Sequence, residues 1–226
     1  MEGESEATKA DARQFMSDVL PTCNASSAAV DVDGIADGHG PQCDMRSWKS
    51  TYAAAITAAA AAAEKNDNDA ADSTTTAGDA AAKELMETFW TTYYNPKTTS
   101  IWTMVYDEAD SITDLDEAIG IVATFMTIPG MILEQEDGDK DAKKANMKEH
   151  CFGVMHTCDN LDIQGLWFFN GPDPEELFGA NADTSWYTWA QLGPEVNEHV
   201  KNAVAKYLTP EKRIDNKVIK DTKVFC

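Results

Sequence analysis

Basic side chains are scarce in this 226-residue chain: 18 Lys and Arg stand against 39 Asp and Glu, a net charge of −21. A surface that negative repels phosphates, which excludes nucleic-acid binding over most of its area and disfavours docking on anionic lipid. Long apolar runs are also missing, and none approaches the roughly 20 residues that a spanning helix needs. Met1–Arg13 carries Glu2, Glu4 and Glu6 and no apolar stretch, so it lacks the pattern of a secretory leader. Histidine is limited to four copies and cysteine to five, an odd number at wide spacing. Cys23, Cys43, Cys151, Cys158 and Cys226 therefore read as reduced thiols of an acidic cytoplasmic protein. The sequon Asn24-Ala25-Ser26 matters only on a secretory route.

Hydrophobic residues make up 43% of the chain and aromatics 9%, enough for the core of one decorated domain or two small ones. Residues 1–40 are acidic and poor in large apolar groups, which predicts a largely irregular N-terminal segment with one candidate helix, Ala10–Leu20. A domain is predicted over 41–226. Within it Ala fills nine of the eleven positions 53–63, a helical signal, and Lys65–Gly78 is of low complexity. Together they read as an Ala-rich insertion at about 53–79.

Leu85, Met86, Phe89, Trp90, Tyr93 and Tyr94 recur at helical spacing until Asn95-Pro96. Ser100–Tyr106 reads as a strand. Gly120–Leu133 is apolar and broken by Pro129-Gly130, with a strand or a short helix on each side. The charged stretch Glu134–Glu149 reads as a helix. Cys151–Cys158 and Ile163–Phe169, joined by Asp159-Asn160, read as a hairpin. In its second strand Ile163, Trp167 and Phe169 share one face and Leu166 and Phe168 the other, as in a strand covered on both sides. Trp186–Leu192 is a further strand, and Gly193-Pro194 opens a helix with Val196, His199, Val200, Ala203, Val204, Tyr207 and Leu208 on one stripe. Without regular βαβ alternation, the order predicts an α+β fold with helices packed on an antiparallel sheet. Residues 201–226 hold seven Lys and Arg against Glu211, Asp215 and Asp221, so that end is +4 and residues 1–200 are −25.

Trp48-Lys49-x-x-Tyr52, Phe89-Trp90-x-x-Tyr93, Ser100-Ile101-Trp102, Thr124-Phe125-Met126, Gly130-Met131, Ile163–Gly171, Tyr187-Thr188-Trp189-x-x-Leu192 and the basic close Lys220–Phe225 follow one another in order. Over about residues 41–226 this set resembles the C-terminal domain of the gamma subunit of eukaryotic translation elongation factor 1. The resemblance implies a divergent, stand-alone relative without the family's glutathione-transferase-like domain. It also implies a non-catalytic, protein-binding role in the complex that recycles the tRNA-carrying GTPase, and it supplies no catalytic residues. Asn170 stands where the family has Arg, and Ala190-Gln191 where it is basic.

His150, Cys151, His156 and Cys158 lie close in sequence, but strand alternation puts Cys151 opposite His156 and Cys158. Core thiols and ordinary histidines are therefore favoured over zinc. Asp31–Gly34 and Asp137–Asp141 lack the donors of a calcium loop and read as solvated charge. Cys158 with His199 is the one conceivable nucleophile and base. Trp90, Trp102, Trp167, Trp186 and Trp189 read mainly as core; Trp186 and Trp189 have opposite strand parity, so one of them is the exposed candidate for partner binding. Lys217, Lys220 and Lys223 form a second candidate partner surface, or else a flexible tail. The reading is a protein-binding scaffold without cofactor or metal, its partners drawn from elongation-factor subunits. One alternative is the same fold recruited as an acidic structural or assembly subunit of another complex, and a second is a small thiol-dependent enzyme.

Overall fold

The computed structural model describes residues 43–66, 77–127, 147–209 and 213–226. The predicted helix at Ala10–Leu20, Cys23, both acidic loops, Pro129-Gly130 and most of Glu134–Glu149 lie outside them. Helix α1 (Met45–Asn66) starts where Asp44 accepts the Ser47 N–H and hydroxyl at 3.0 and 2.6 Å, and the Ala-rich run continues this same helix. Helix α2 (Ala77–Thr88) passes into a π-helical turn, Phe89–Tyr93. Strand β1 (Thr99–Tyr106) follows, then α3 (Leu115–Thr127). At the head of α3, Asp114 accepts the Glu117 N–H while Glu117 reaches back to the N–H and hydroxyl of Thr113. The apolar stretch up to Thr127 is thus helical.

A short α4 (Met147–His150) leads into β2 (Cys151–Cys158), β3 (Ile163–Asn170), α5 (Glu175–Ala180) and β4 (Tyr187–Leu192). Helix α6 (Glu198–Leu208) begins later than Gly193-Pro194 predicts. Asn197 is its cap, accepting the Val200 N–H at 2.9 Å, and Gly193-Pro194 is a cis turn ahead of it. Two last strands, β5 (Arg213–Ile214) and β6 (Lys217–Phe225), stand where the sequence suggested a basic tail. Asp215 and Asn216, both at positive φ (49° and 64°), close the hairpin between them.

The fold is α+β. One six-stranded antiparallel sheet runs in the order β4-β1-β3-β2-β6-β5. Strand β3 is central and buried on both faces, with the predicted division. Leu166 and Phe168 meet α1, α2 and α6, whereas Ile163, Trp167 and Phe169 join Val122 and Phe125 of α3 and Leu177 of α5. On the first face the separate aromatic motifs converge. Trp48 packs at 4.9 Å from Phe89 and 5.5 Å from Phe152, and Phe89 lies 5.1 Å from Phe168.

On the second face Trp167 is fully buried among Phe125, Phe169 and Phe225, and its Nε1–H donates to Met104 Sδ at 2.9 Å. Gly153 pairs with Trp167 across strands, and a Cβ there would sit 2.6 Å from the indole ring. The ring therefore requires glycine on its neighbour. No helix among the described residues is long and apolar enough to cross a membrane.

Candidate functional site

Among the predicted tryptophans the structure separates one. Trp167 is fully buried, while Trp90, Trp102 and Trp189 are partly buried. Trp189 packs on Phe178 and Trp167 and donates from Nε1 to the Thr184 carbonyl at 3.1 Å. Trp186 is 53% exposed, at the end of a 3-10 turn (Ala182–Trp186) just before β4. The turn is pinned by Asn181, which accepts the Asp183 N–H, and Trp186's own carbonyl accepts the Asp107 N–H at 3.0 Å.

Trp186 borders a groove of about 440 Å³ between α3 and the β1–β4 edge. Tyr106 and Tyr187 form its floor; they are cross-strand partners with ring centroids 5.1 Å apart, and Phe125 supports Tyr187 at 4.8 Å. Gly120, Ile121 and Thr124 of α3 line one wall, and Glu117 and Asp183 bring carboxylates to it. Burial raises the Tyr106 pKa, with further increments from Glu108, Glu117 and Asp183. It raises that of Tyr187 more strongly, again helped by Tyr106 and Asp183. The Tyr187 hydroxyl is buried and finds no hydrogen-bond partner among the described residues. Of this group only Trp186 was named in the sequence as a candidate for partner binding. The opposition of Tyr106 and Tyr187 depends on the register between strands about eighty residues apart.

The predicted lysines share no open surface. Lys217 is only 11% exposed and bonds Asp162 at 2.7 Å, and Lys223 pairs with Asp221 at 3.1 Å; Lys220 is exposed. They lie on β6, which pairs with β2, so this segment is a strand and not a tail. The hairpin signal was Asp215-Asn216, between Arg213-Ile214 and Lys217-Val218-Ile219.

A second cleft of about 670 Å³ lies where the start of α1 meets α4 and the end of β3. Its walls hold one another: Lys49 donates to the Lys148 carbonyl at 2.6 Å and sits 5.1 Å from the Phe225 ring, and Asn170 donates to the carbonyls of Cys43 and Glu149. Burial lowers the Lys49 pKa.

Cys43, Cys151, Cys158 and Cys226 are free thiols. Burial pushes Cys43 and Cys151 up to about 12 and Cys158 up to about 11, so all three are protonated at neutral pH. Cys158 and His199 are not brought together: Cys158 is buried beside Gln164, while His199 is exposed on α6. Cys151 packs on the face opposite Cys158, and no three His, Cys, Asp or Glu side chains converge as a metal site among the described residues.

His156 is buried beneath α6. Its Nε2–H donates to the Tyr207 carbonyl at 3.1 Å, and Nδ1 lies 2.9 Å from the Thr222 hydroxyl. Burial lowers its pKa, outweighing the Tyr207 bond and Asp221. No family model and no curated protein sequence matches the chain.

Proposed function

We propose that this chain is a non-catalytic protein-binding module, an α+β platform related to the C-terminal domain of the gamma subunit of translation elongation factor 1 and acting in translation. The observation that carries the binding role is the groove beside Trp186. It presents a half-exposed indole and two tyrosines on a sheet edge held by a pinned turn and packed from behind by Phe125. Aromatic side chains on rigid supports are what binding hot spots are made of. The ordered aromatic motifs support the family relation, since Trp48, Tyr52, Phe89 and Phe168 serve one cluster. Three thiols held protonated by burial give a cysteine nucleophile no support.

Co-purification of the full chain from its own cells at moderate salt, followed by mass spectrometry, tests this. Elongation-factor subunits are expected in the wild-type eluate and depleted in that of Trp186→Ala. Their absence from both overturns the translation role. The second reading, an acidic structural or assembly subunit of another complex, is favoured by the −25 charge of residues 1–200. Stoichiometric recovery of a different complex decides for it.

A further inference from the structure

We infer that the groove beside Trp186 is a receptor for an arginine side chain presented by a basic segment of a partner protein. This deepens the protein-binding reading and rests on it. Aromatic faces come first: Trp186, Tyr106 and Tyr187 border one concavity, and the ring quadrupoles of the exposed Trp186 and the half-buried Tyr106 attract a cation placed over them. Charge is the second element. Glu117 and Asp183 line the same groove, and among the described residues no ion pair engages either. The groove is built from residues 106–125 and 183–187, and neither residues 98–127 nor 149–200 contain a single Lys or Arg. The 98–127 stretch carries six acids, Asp107, Glu108, Asp110, Asp114, Asp116 and Glu117.

The third observation points to a ligand more directly. Tyr187 is 5% exposed, and its hydroxyl is buried without a partner among the described residues. Tyr187 lines the groove together with Asp183 and Tyr106. A buried phenol oxygen left unpaired costs free energy that a ligand N–H recovers, since a tyrosine hydroxyl accepts as well as donates.

A guanidinium meets these demands together. It is planar and stacks on an indole or phenol face. It has five N–H donors in fixed directions, enough for a carboxylate and the Tyr187 oxygen at once, and it is more weakly hydrated than an ammonium. Lysine supplies a compact, strongly hydrated charge that stacks poorly. A lone acidic surface would attract any cation; the aromatic floor makes this groove selective.

The test is a titration of the full chain, followed by the amide resonances of Glu117–Phe125 and Asp183–Tyr187 and the Trp186 indole. The probes are three capped peptides of alternating glycine with arginine, lysine or citrulline. The arginine peptide is expected to shift the groove resonances saturably, with the lysine peptide weaker and citrulline, isosteric but neutral, at least about tenfold weaker. Trp186→Ala, which leaves every charge in place, should weaken the arginine peptide about fivefold or more. Tyr187→Phe, which removes only the unpartnered oxygen, should weaken it while leaving the free protein as stable as before or more so.

Equal binding of the arginine and citrulline peptides overturns the inference. So does a lysine peptide as tight as the arginine one, or shifts scattered over the acidic surface and insensitive to Trp186→Ala. A cellular partner retained by Trp186→Ala overturns it too, while leaving the binding-module reading intact.

Discussion

Trp167 packs on Phe125, and Phe125 packs on Tyr187, the chain neighbour of Trp186, yet the surroundings of the two tryptophans differ in kind. Around Trp167 every demand is met: rings close on it from β3, β6 and α3, Met104 takes its N–H, and Gly153 leaves room for its face. Around Trp186 half the indole faces solvent, a buried hydroxyl lacks a partner among the described residues, and two carboxylates line the wall. The ends of the sheet repeat the contrast. On the β6 side Lys217, Lys223 and Lys206 each have a carboxylate from their own chain. On the β4 side the acids of 98–127 have no base in their own segment. Charge paired at home stabilises or is neutral; the carboxylates of Glu117 and Asp183, beside an aromatic surface and in no ion pair among the described residues, are available to a partner.

The largest expected effect belongs to the closed side. Trp167→Ala should cost about 3–5 kcal/mol, because it empties the space between α3 and the sheet. A urea midpoint close to wild type would remove the distinction between the two tryptophans at once.

Gly153→Ala sharpens the same point by overfilling. Its new Cβ would lie 2.6 Å from the indole, and β2 and β3 are both interior strands with little room to shift. The expected cost is about 1–3 kcal/mol. Adding Trp167→Phe should recover part of that cost, so the pair is expected to be non-additive in chemical denaturation.

The closed side was the legible one. Alternation in Ile163–Phe169 assigned each side chain to its face, because period-two patterning survives whatever strands lie beside it. The helical spacing of Leu85 to Tyr94 likewise located a buried stripe, and the π turn at Phe89–Tyr93 is a local change within it. Strand β6 was illegible because Lys, Asp and Thr interrupt its apolar positions; some of those polar groups find their partners far away in sequence, as Thr222 does in His156 and Lys217 in Asp162. The late start of α6 followed from a side-chain cap at Asn197 that outcompeted the proline signal three residues before it. Parity left Trp186 and Trp189 as alternatives, and the groove could not be read at all, since Tyr106, Glu117 and Asp183 meet only once β1 pairs with β4 and α3 packs beside them.

His156 lies on the sheet face opposite Trp167, beneath α6, and gives that face a pH signature. The folded imidazole resists protonation because it is buried, whereas the unfolded one titrates near 6.5. The unfolded state therefore binds more protons as pH falls below about 6.5, and stability declines from there down through the lowered folded pKa. Above that range this group contributes no slope. His156→Phe should cost about 1–3 kcal/mol at neutral pH, since the Tyr207 carbonyl loses its donor. It should also flatten the acid limb relative to wild type in midpoints measured between pH 5 and 7.5. An unchanged acid limb would place the titration elsewhere.

The smallest expected effect on stability falls on the residue with the largest expected effect on binding. Trp186→Ala removes a ring that is 53% exposed and makes no side-chain hydrogen bond among the described residues, so the loss of buried apolar surface is partial. A change within about 1 kcal/mol is expected, close to the range of ordinary surface substitutions. The turn beneath it is held by Asn181 and by backbone bonds that the substitution leaves in place. The informative measurement pairs the two tryptophans in one urea series. If Trp186→Ala costs as much as Trp167→Ala, its indole is structural cement and the groove loses its claim as a docking site. If it melts with wild type while the arginine peptide no longer binds, the same cluster supports a closed core on one side and a receptor on the other.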